Sequence, residues 1–224
     1  MNGKSGSSII AIDGPAASGK STVAKELARK LGFSFVNSGS LYRAVAWLIH
    51  KHKVNPNDNA AVVRLLTSVP FKTGLANKES FILVEEENPE KHLKEEVVNR
   101  TVSAISAIPE VRSFLLQHLR SFARSDDIVM EGRDIGSTVF PETPFKFYID
   151  AAPEIRARRR AAQGFKDNLA SRDRADSSRR SSPLIIADDA DIVDSSSLSI
   201  SGVVEEVVRR LRLKGLPAIV VQEQ

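Results

Sequence analysis

The stretch Ser8-Ser-Ile-Ile-Ala-Ile-Asp-Gly-Pro-Ala-Ala-Ser-Gly-Lys-Ser-Thr22 decides the fold. An apolar run ends at Gly14, and Gly14 to Ser21 fits G-x-x-x-x-G-K-[ST] at every fixed position. A helical pattern follows, with Val23, Leu27 and Leu31 on one side and Lys25, Glu26, Arg29 and Lys30 on the other. Strand, glycine-rich turn and helix together are the setting of a phosphate-binding loop. Backbone N–H groups at the helix start have no intrahelical partner, and they converge where the helix dipole is positive. On this reading Gly14, Pro15, Ala16, Ala17, Ser18, Gly19, Lys20, Ser21 and Thr22 cradle a nucleoside triphosphate. Lys20 adds a mobile cation on the outer phosphates, and Ser21 offers its hydroxyl to a magnesium ion. Kinases, GTPases, motors and transport ATPases share such a loop, so other residues must choose the reaction.

Further along, Phe33 to Val36 reads as a short strand. Asn37 to Arg43 reads as a turn leading into a helix that ends near His50. Asn55 to Asp58 is a break with capping residues before a short helix over 60–66. Phe71 to Thr73 and Ser80 to Val84 read as two strands joined by a loop holding Gly74 and Asn77. A helix is expected from His92 to about Ile108, and a second from Pro109 to about Arg124. Ile128 to Gly132 and Lys146 to Asp150 are strands, and Pro153 opens an arginine-rich helix interrupted at Gly164. The stretch 168–182 is polar with few core candidates. Asp191 to Asp194 is a last strand, Ser199 or Ser201 caps a final amphipathic helix, and the tail from Ala218 to Val221 is expected to add a little packing. The sum is a parallel α/β sheet with crossover helices and a site at the strand C-terminal ends. The strands between helices over 55–107 suggest an inserted lobe.

At 224 residues, 42% hydrophobic and 27% charged, the chain has an ordinary globular composition. Its apolar runs are strand-sized, so no membrane span is expected. Residues 1–7 read as a flexible leader, not a signal peptide. There is no cysteine, which excludes disulfides and thiolate metal sites and makes a reducing cytoplasm the default. The net charge of +4 is too mild to argue for nucleic acid. Its distribution says more: eight arginines and one lysine against three aspartates lie between Arg156 and Arg180. Beside a phosphate loop, such forks suit phosphate charge.

Three constellations lie where strands end. Ser38 and Arg43 bring a hydroxyl and a guanidinium towards a phosphate near the loop. Glu131-Gly132-Arg133-Asp134 delivers Arg133 for a phosphate and Asp134 as an acceptor for an amino group or a cation. Arg156, Arg159 and Arg160, at i, i+3 and i+4, place several guanidiniums on one face of a segment that could close over reacting phosphates and exclude water.

Taken together, Gly14-Pro-Ala-Ala-Ser-Gly-Lys-Ser-Thr22, Asn37-Ser-Gly-Ser-Leu-Tyr-Arg43, Glu131-Gly-Arg-Asp-Ile-Gly-Ser-Thr-Val-Phe-Pro141 and Asp194-Ser-Ser-Ser-Leu-Ser-Ile200 closely resemble the bacterial cytidylate kinases. The resemblance keeps its order from about Ile9 to Leu211. It implies a P-loop, adenylate-kinase-like core over 8–54 and 108–224, a nucleoside-monophosphate lobe over 55–107, and a lid over about 154–182. It implies transfer of the ATP γ-phosphoryl group to CMP or dCMP with magnesium, by a cytoplasmic monomer with no nucleic-acid or membrane partner. Carried over by motif, Arg43, Arg133 and Arg179 hold the CMP phosphate, with Ser38 and Tyr42 nearby. Ser103, Arg112 and Asp134 face the cytosine, and Arg172 and Asp176 contact the ribose. Lys20, Arg133, Arg156, Arg159 and Arg160 serve the transfer itself. Three departures stand out. The lid is short, Ala17 replaces a common glycine, and Glu131 replaces a frequent aspartate.

Rival readings are a kinase for another small acceptor such as UMP, a GTPase-like switch, and a basic nucleic-acid binder. Against the switch, Asn77-Lys78 is followed by Glu-Ser and not by the guanine-reading x-Asp. Against the binder, Phe165 is the only aromatic residue in the basic stretch.

Overall fold

The structure is a computed structural model that describes residues 7–162, 164, 169–179 and 181–216. The leader up to residue 6, Phe165, Asn168, Arg180 and the tail from Ala218 to Val221 lie outside the described residues. The strands are β1 (Ile9–Asp13), β2 (Ser34–Asn37), β3 (Phe71–Ala76), β4 (Glu79–Val84), β5 (Ile128–Gly132), β6 (Phe145–Asp150) and β7 (Asp191–Asp194). They form one sheet in the order β3-β4-β2-β5-β1-β6-β7, parallel throughout except for the β3–β4 hairpin. The helices are α1 (Lys20–Leu31), α2 (Ser38–Lys51), α3 (Asn59–Ser68), α4 (Glu96–Ile105), α5 (Pro109–Phe122), α6 (Pro153–Ala162), α7 (Leu169–Ser177) and α8 (Ile200–Leu213).

Strand parity divides the core into two layers. Ile10 and Ile12 of β1 and Val129 of β5 pack with α1 and α8 on one face. Ala11 of β1 and Ile128 and Met130 of β5 pack with α2 to α5 on the other. This is why the central strands are apolar on both sides. The same alternation fixes the ends of the strands. Glu131 falls on the α1 face and Asp13 on the opposite one.

Several expected boundaries need correction. Asn37 caps α2 directly, its Oδ1 accepting from the Ser40 N–H at 3.2 Å, so the expected turn over 37–43 is helix from Ser38 onward. Gly74 lies inside β3, and the hairpin turns at Asn77 and Lys78, both at positive φ. The helix expected from His92 to Ile108 is a short 3₁₀ turn at Glu90–His92 followed by α4. Part of the polar stretch 168–182 forms α7. The hairpin within residues 55–107 joins the edge of the main sheet, and Val62, Leu66, Val84 and Val98 share the α2-side core. Of the two candidate caps for α8 it is Ser199 that bonds the Gly202 N–H, at 3.1 Å.

Candidate functional site

The loop between β1 and α1 sits at the sheet's C-terminal edge. Gly14 has a φ of 152°, and a Cβ there would lie 2.1 Å from the Ile149 carbonyl oxygen, so only glycine fits. Ala17 has a φ of 59°, left-handed backbone that the frequent glycine would take without strain. Ala17→Gly is therefore expected to stabilise the chain, by less than about 1 kcal/mol because glycine also gains unfolded-state entropy. A rise of about 1–3 °C in Tm checks this, and an unchanged or lower Tm would refute it.

The loop is held from behind. The Ser18 carbonyl accepts from Ser195 Oγ at 2.7 Å and from Arg159 at 3.1 Å, and Arg159 also donates to the Ser195 carbonyl at 2.7 Å. Arg156 donates to the Ala16 carbonyl at 3.4 Å and pairs with Asp173 of α7 at 2.5 Å. Carbonyls drawn outward leave amides facing inward, as an anion cradle requires.

In front of the loop lies a cleft of about 830 Å³. Ala16, Ala17, Gly19, Lys20, Ser21 and Thr22 line it, whereas Gly14, Pro15 and Ser18 do not. Arg43, Arg133, Arg160, Arg172 and Arg179 also line it, with Ser38 and Asp176. So do Tyr42, Ser103, Arg112 and Asp134. The structure thus brings together nearly every expected site residue. Besides Gly14, Pro15 and Ser18, the exceptions are Arg156 and Arg159, which brace the loop's carbonyls and do not line the cleft.

Lys20 is buried, its ammonium donating to the Pro15 carbonyl at 3.0 Å and lying 4.0 Å from Glu131. Burial, aided by the Arg133 charge, pushes its pKa down to about 7. Ser21 Oγ donates to Glu131 Oε1 at 2.8 Å. Arg43 forms no ion pair among the described residues, and burial and the Arg172 charge push it down to about 10. It stays a cation at neutral pH. Asp176 accepts from Arg133 Nε at 2.8 Å and from Arg179. Burial opposes its ionisation, but these two guanidiniums outweigh it and hold the carboxyl below its usual range.

Within the cleft lining Arg112 pairs with Asp134 and donates to the Ser106 carbonyl at 3.1 Å. Its guanidinium lies 5.3 Å from the Tyr42 ring centre. Arg112 is 5% exposed, and its Nε has no hydrogen-bond partner. A buried donor left unpaired costs about 1–3 kcal/mol, which a ligand acceptor would recover.

Glu131 meets Ser21 because the pairing of β5 with β1 presents it on the α1 face, which no motif encodes. Ser195 lies in a matched motif that gives it no role, and Asp13 and Asp173 lie outside the four motifs. For Ser195 and Asp173 the sequence carries no signal, since their partners lie on distant segments.

The cytidylate kinase family profile matches residues 10–213. A cytidylate kinase from Pelotomaculum thermopropionicum is 39% identical over 215 residues, covering 90% of this chain and 95% of that protein. A bifunctional pantoate ligase/cytidylate kinase from Synechococcus elongatus is also 39% identical, over 226 residues and 93% of this chain. The chain spans only 42% of that bifunctional protein's length. Among solved structures, a shikimate kinase from Acinetobacter baumannii in complex with shikimate is 15% identical at a TM-score of 0.46, covering 94% of this chain and 96% of its own. With four motifs in order, a phosphate loop facing a ring of arginines, and a family profile covering nearly the whole length, this chain belongs to the cytidylate kinase family.

Proposed function

We propose that the chain transfers the γ-phosphoryl group of ATP to CMP or dCMP, giving ADP and CDP or dCDP. The observation that carries this reading is the single cleft joining the amide cradle, the cluster of arginines, and the buried Arg112–Asp134 pair. The triphosphate would lie on the loop and Lys20. The CMP phosphate would lie on Arg43, Arg133 and Arg179, with Ser38 beside it, and Arg172 and Asp176 would reach the ribose. An oxygen of the CMP phosphate attacks the γ-phosphorus, forming one P–O bond as the bond to the ADP oxygen breaks. That oxygen is already ionised, so no general base is needed. Positioning and charge neutralisation by Lys20, Arg133 and Arg160 do the work, with Arg156 and Arg159 holding the loop in shape.

Cytosine offers an amino donor beside ring acceptors. Asp134 suits the first, and Ser103 and the unpartnered Nε of Arg112 suit the second. Uracil presents an acceptor where cytosine has its amino group, so Asp134 would oppose it. Residues 55–107 would act as the acceptor-side lobe through Ser103, and 154–182 as a lid.

Magnesium fits the donor set. Ser21 and Glu131 give hard oxygen donors 2.8 Å apart. No group of three or more metal-binding side chains exists among the described residues. Such an ion would be shared with the phosphates and water. When bound, it would draw charge from the β- and γ-phosphates. The setting we propose is a cytoplasmic monomer acting on free nucleotides. Among the described residues no helix is long and apolar enough to cross a membrane.

A coupled assay of ADP release tests the reading, with CMP, dCMP, UMP and AMP as acceptors. CMP and dCMP should dominate, and equal rates with UMP or AMP would overturn it. Arg43→Ala should raise KM for CMP about tenfold to a hundredfold, the loss of a charged hydrogen-bonded contact, while KM for ATP stays within about twofold. An equal loss for both substrates would show the donor and acceptor ends to be misassigned.

A further inference from the structure

Asp13, the last residue of β1, lies outside the cleft, yet it is buried. Its two carboxylate oxygens each take one backbone amide, Oδ1 from Ile135 and Oδ2 from Gly136, both at 2.8 Å. These amides open a five-residue π-helical turn, Ile135–Val139. The first amides of a helical turn have no partner within it. Asp13, more than 120 residues away in the chain, supplies that partner. The turn closes on Asp134, whose carbonyl accepts from Thr138 at 2.9 Å and Val139 at 3.1 Å. Arg133 and Asp134, the two cleft residues of this segment, are thus immediately followed by the anchored amides. In the other direction Asp13 leads straight into Gly14 and the phosphate loop.

We infer that Asp13 is a positioning residue, fixing the Arg133–Asp134 pair at the acceptor end against the strand that carries the donor loop. Its backbone belongs to one half of the site and its side chain grips the other. A carboxylate suits this task because two donors converge on it and it has an acceptor for each. Asparagine keeps the shape but turns an NH₂ towards one of the two amides, so one anchor is lost. The packing leaves little slack. A Cβ on Gly136 would sit 3.1 Å from the Lys146 side chain and 3.4 Å from Asp13. Lys146 is itself tied to the Pro141 carbonyl and to Asp189. A loosened turn would therefore shift along the cleft side, where Arg133 and Asp134 stand.

The inference rests on the proposed acceptor role of those two residues, and its test separates the two. Asp13→Asn in the full chain should raise KM for CMP about tenfold or more, with KM for ATP within about twofold and kcat reduced less than KM is raised. In the same variant, backbone hydrogen exchange over 133–139 should quicken at least tenfold, while α5 is unchanged. Both KM values rising together, or unchanged exchange over 133–139, would overturn the inference. If the wild type turned over no CMP but the exchange result held, the proposed function would fail and the anchoring would stand. Should the variant not fold, the wild type still decides. Its Ile135 and Gly136 amides should exchange at least a hundredfold slower than an unstructured chain, and exchange at the unstructured rate would overturn the anchoring.

Discussion

Lys20→Met is expected to lower kcat about a hundredfold to a thousandfold, the scale of removing one preorganised charge donor from a transition state. The wild-type lysine should also leave a proton signature. In the free enzyme its pKa is pushed down to about 7, because burial and the nearby arginine disfavour the cation. Triphosphate oxygens beside the ammonium restore the charged form, so the bound pKa is higher. A group protonated more in the bound than in the free state favours binding at low pH. Affinity for ATP should fall above about pH 7, by up to about tenfold per pH unit until the bound pKa is reached. At pH 8, in EDTA to keep metal out of the balance, binding should take up nearly one proton. Calorimetry in two buffers of different ionisation heat reads this directly. The methionine variant should take up none. Equal uptake in both proteins would assign the proton elsewhere, and a kcat within threefold of wild type would remove Lys20 from the transfer step.

Asp134→Asn is the second substitution with a large expected effect. The carboxylate is buried and paired with Arg112. Asparagine keeps its shape but offers a donor as well as an acceptor. It would accept the cytosine amino group less well and could donate to the uracil carbonyl. The preference for CMP over UMP in kcat/KM should fall by about one to two decades, mostly through loss with CMP. Stability should fall as well, since Arg112 loses its counter-charge and is only 5% exposed. A CMP-to-UMP ratio that does not move, in a folded variant, would show that Asp134 does not read the base.

Ion pairs explain where the sequence was least informative. Helix α7 carries almost no apolar face, and hydrophobic periodicity had nothing to report over 168–182. What holds α7 is charge. Asp173 pairs with Arg156 of α6, and Asp176 with Arg133 and with Arg179 beyond the helix end. Likewise the spacing of Arg156 and Arg159 gives a helix face but not the direction it turns. They brace the loop, and Arg160 reaches the cleft.

The sequence by itself determined the phosphate loop, the apolar central strands, and the helices with strong caps or amphipathic faces. These depend on local backbone preference and on burial periods that a short window contains. That Glu131 and Asp13 face opposite sides of the sheet followed only from the pairing of β1 with β5, which sets Glu131 level with Ile12. Only the tertiary structure decided which charges meet. The buried pair Arg112–Asp134, the carboxylate of Asp176 between two guanidiniums, and the grip of Asp13 on the Ile135 and Gly136 amides join segments 22 to 123 residues apart, except for the short link from Asp176 to Arg179. Such contacts follow from strand order and crossover, which bring distant strand ends to one edge, and no local pattern encodes them.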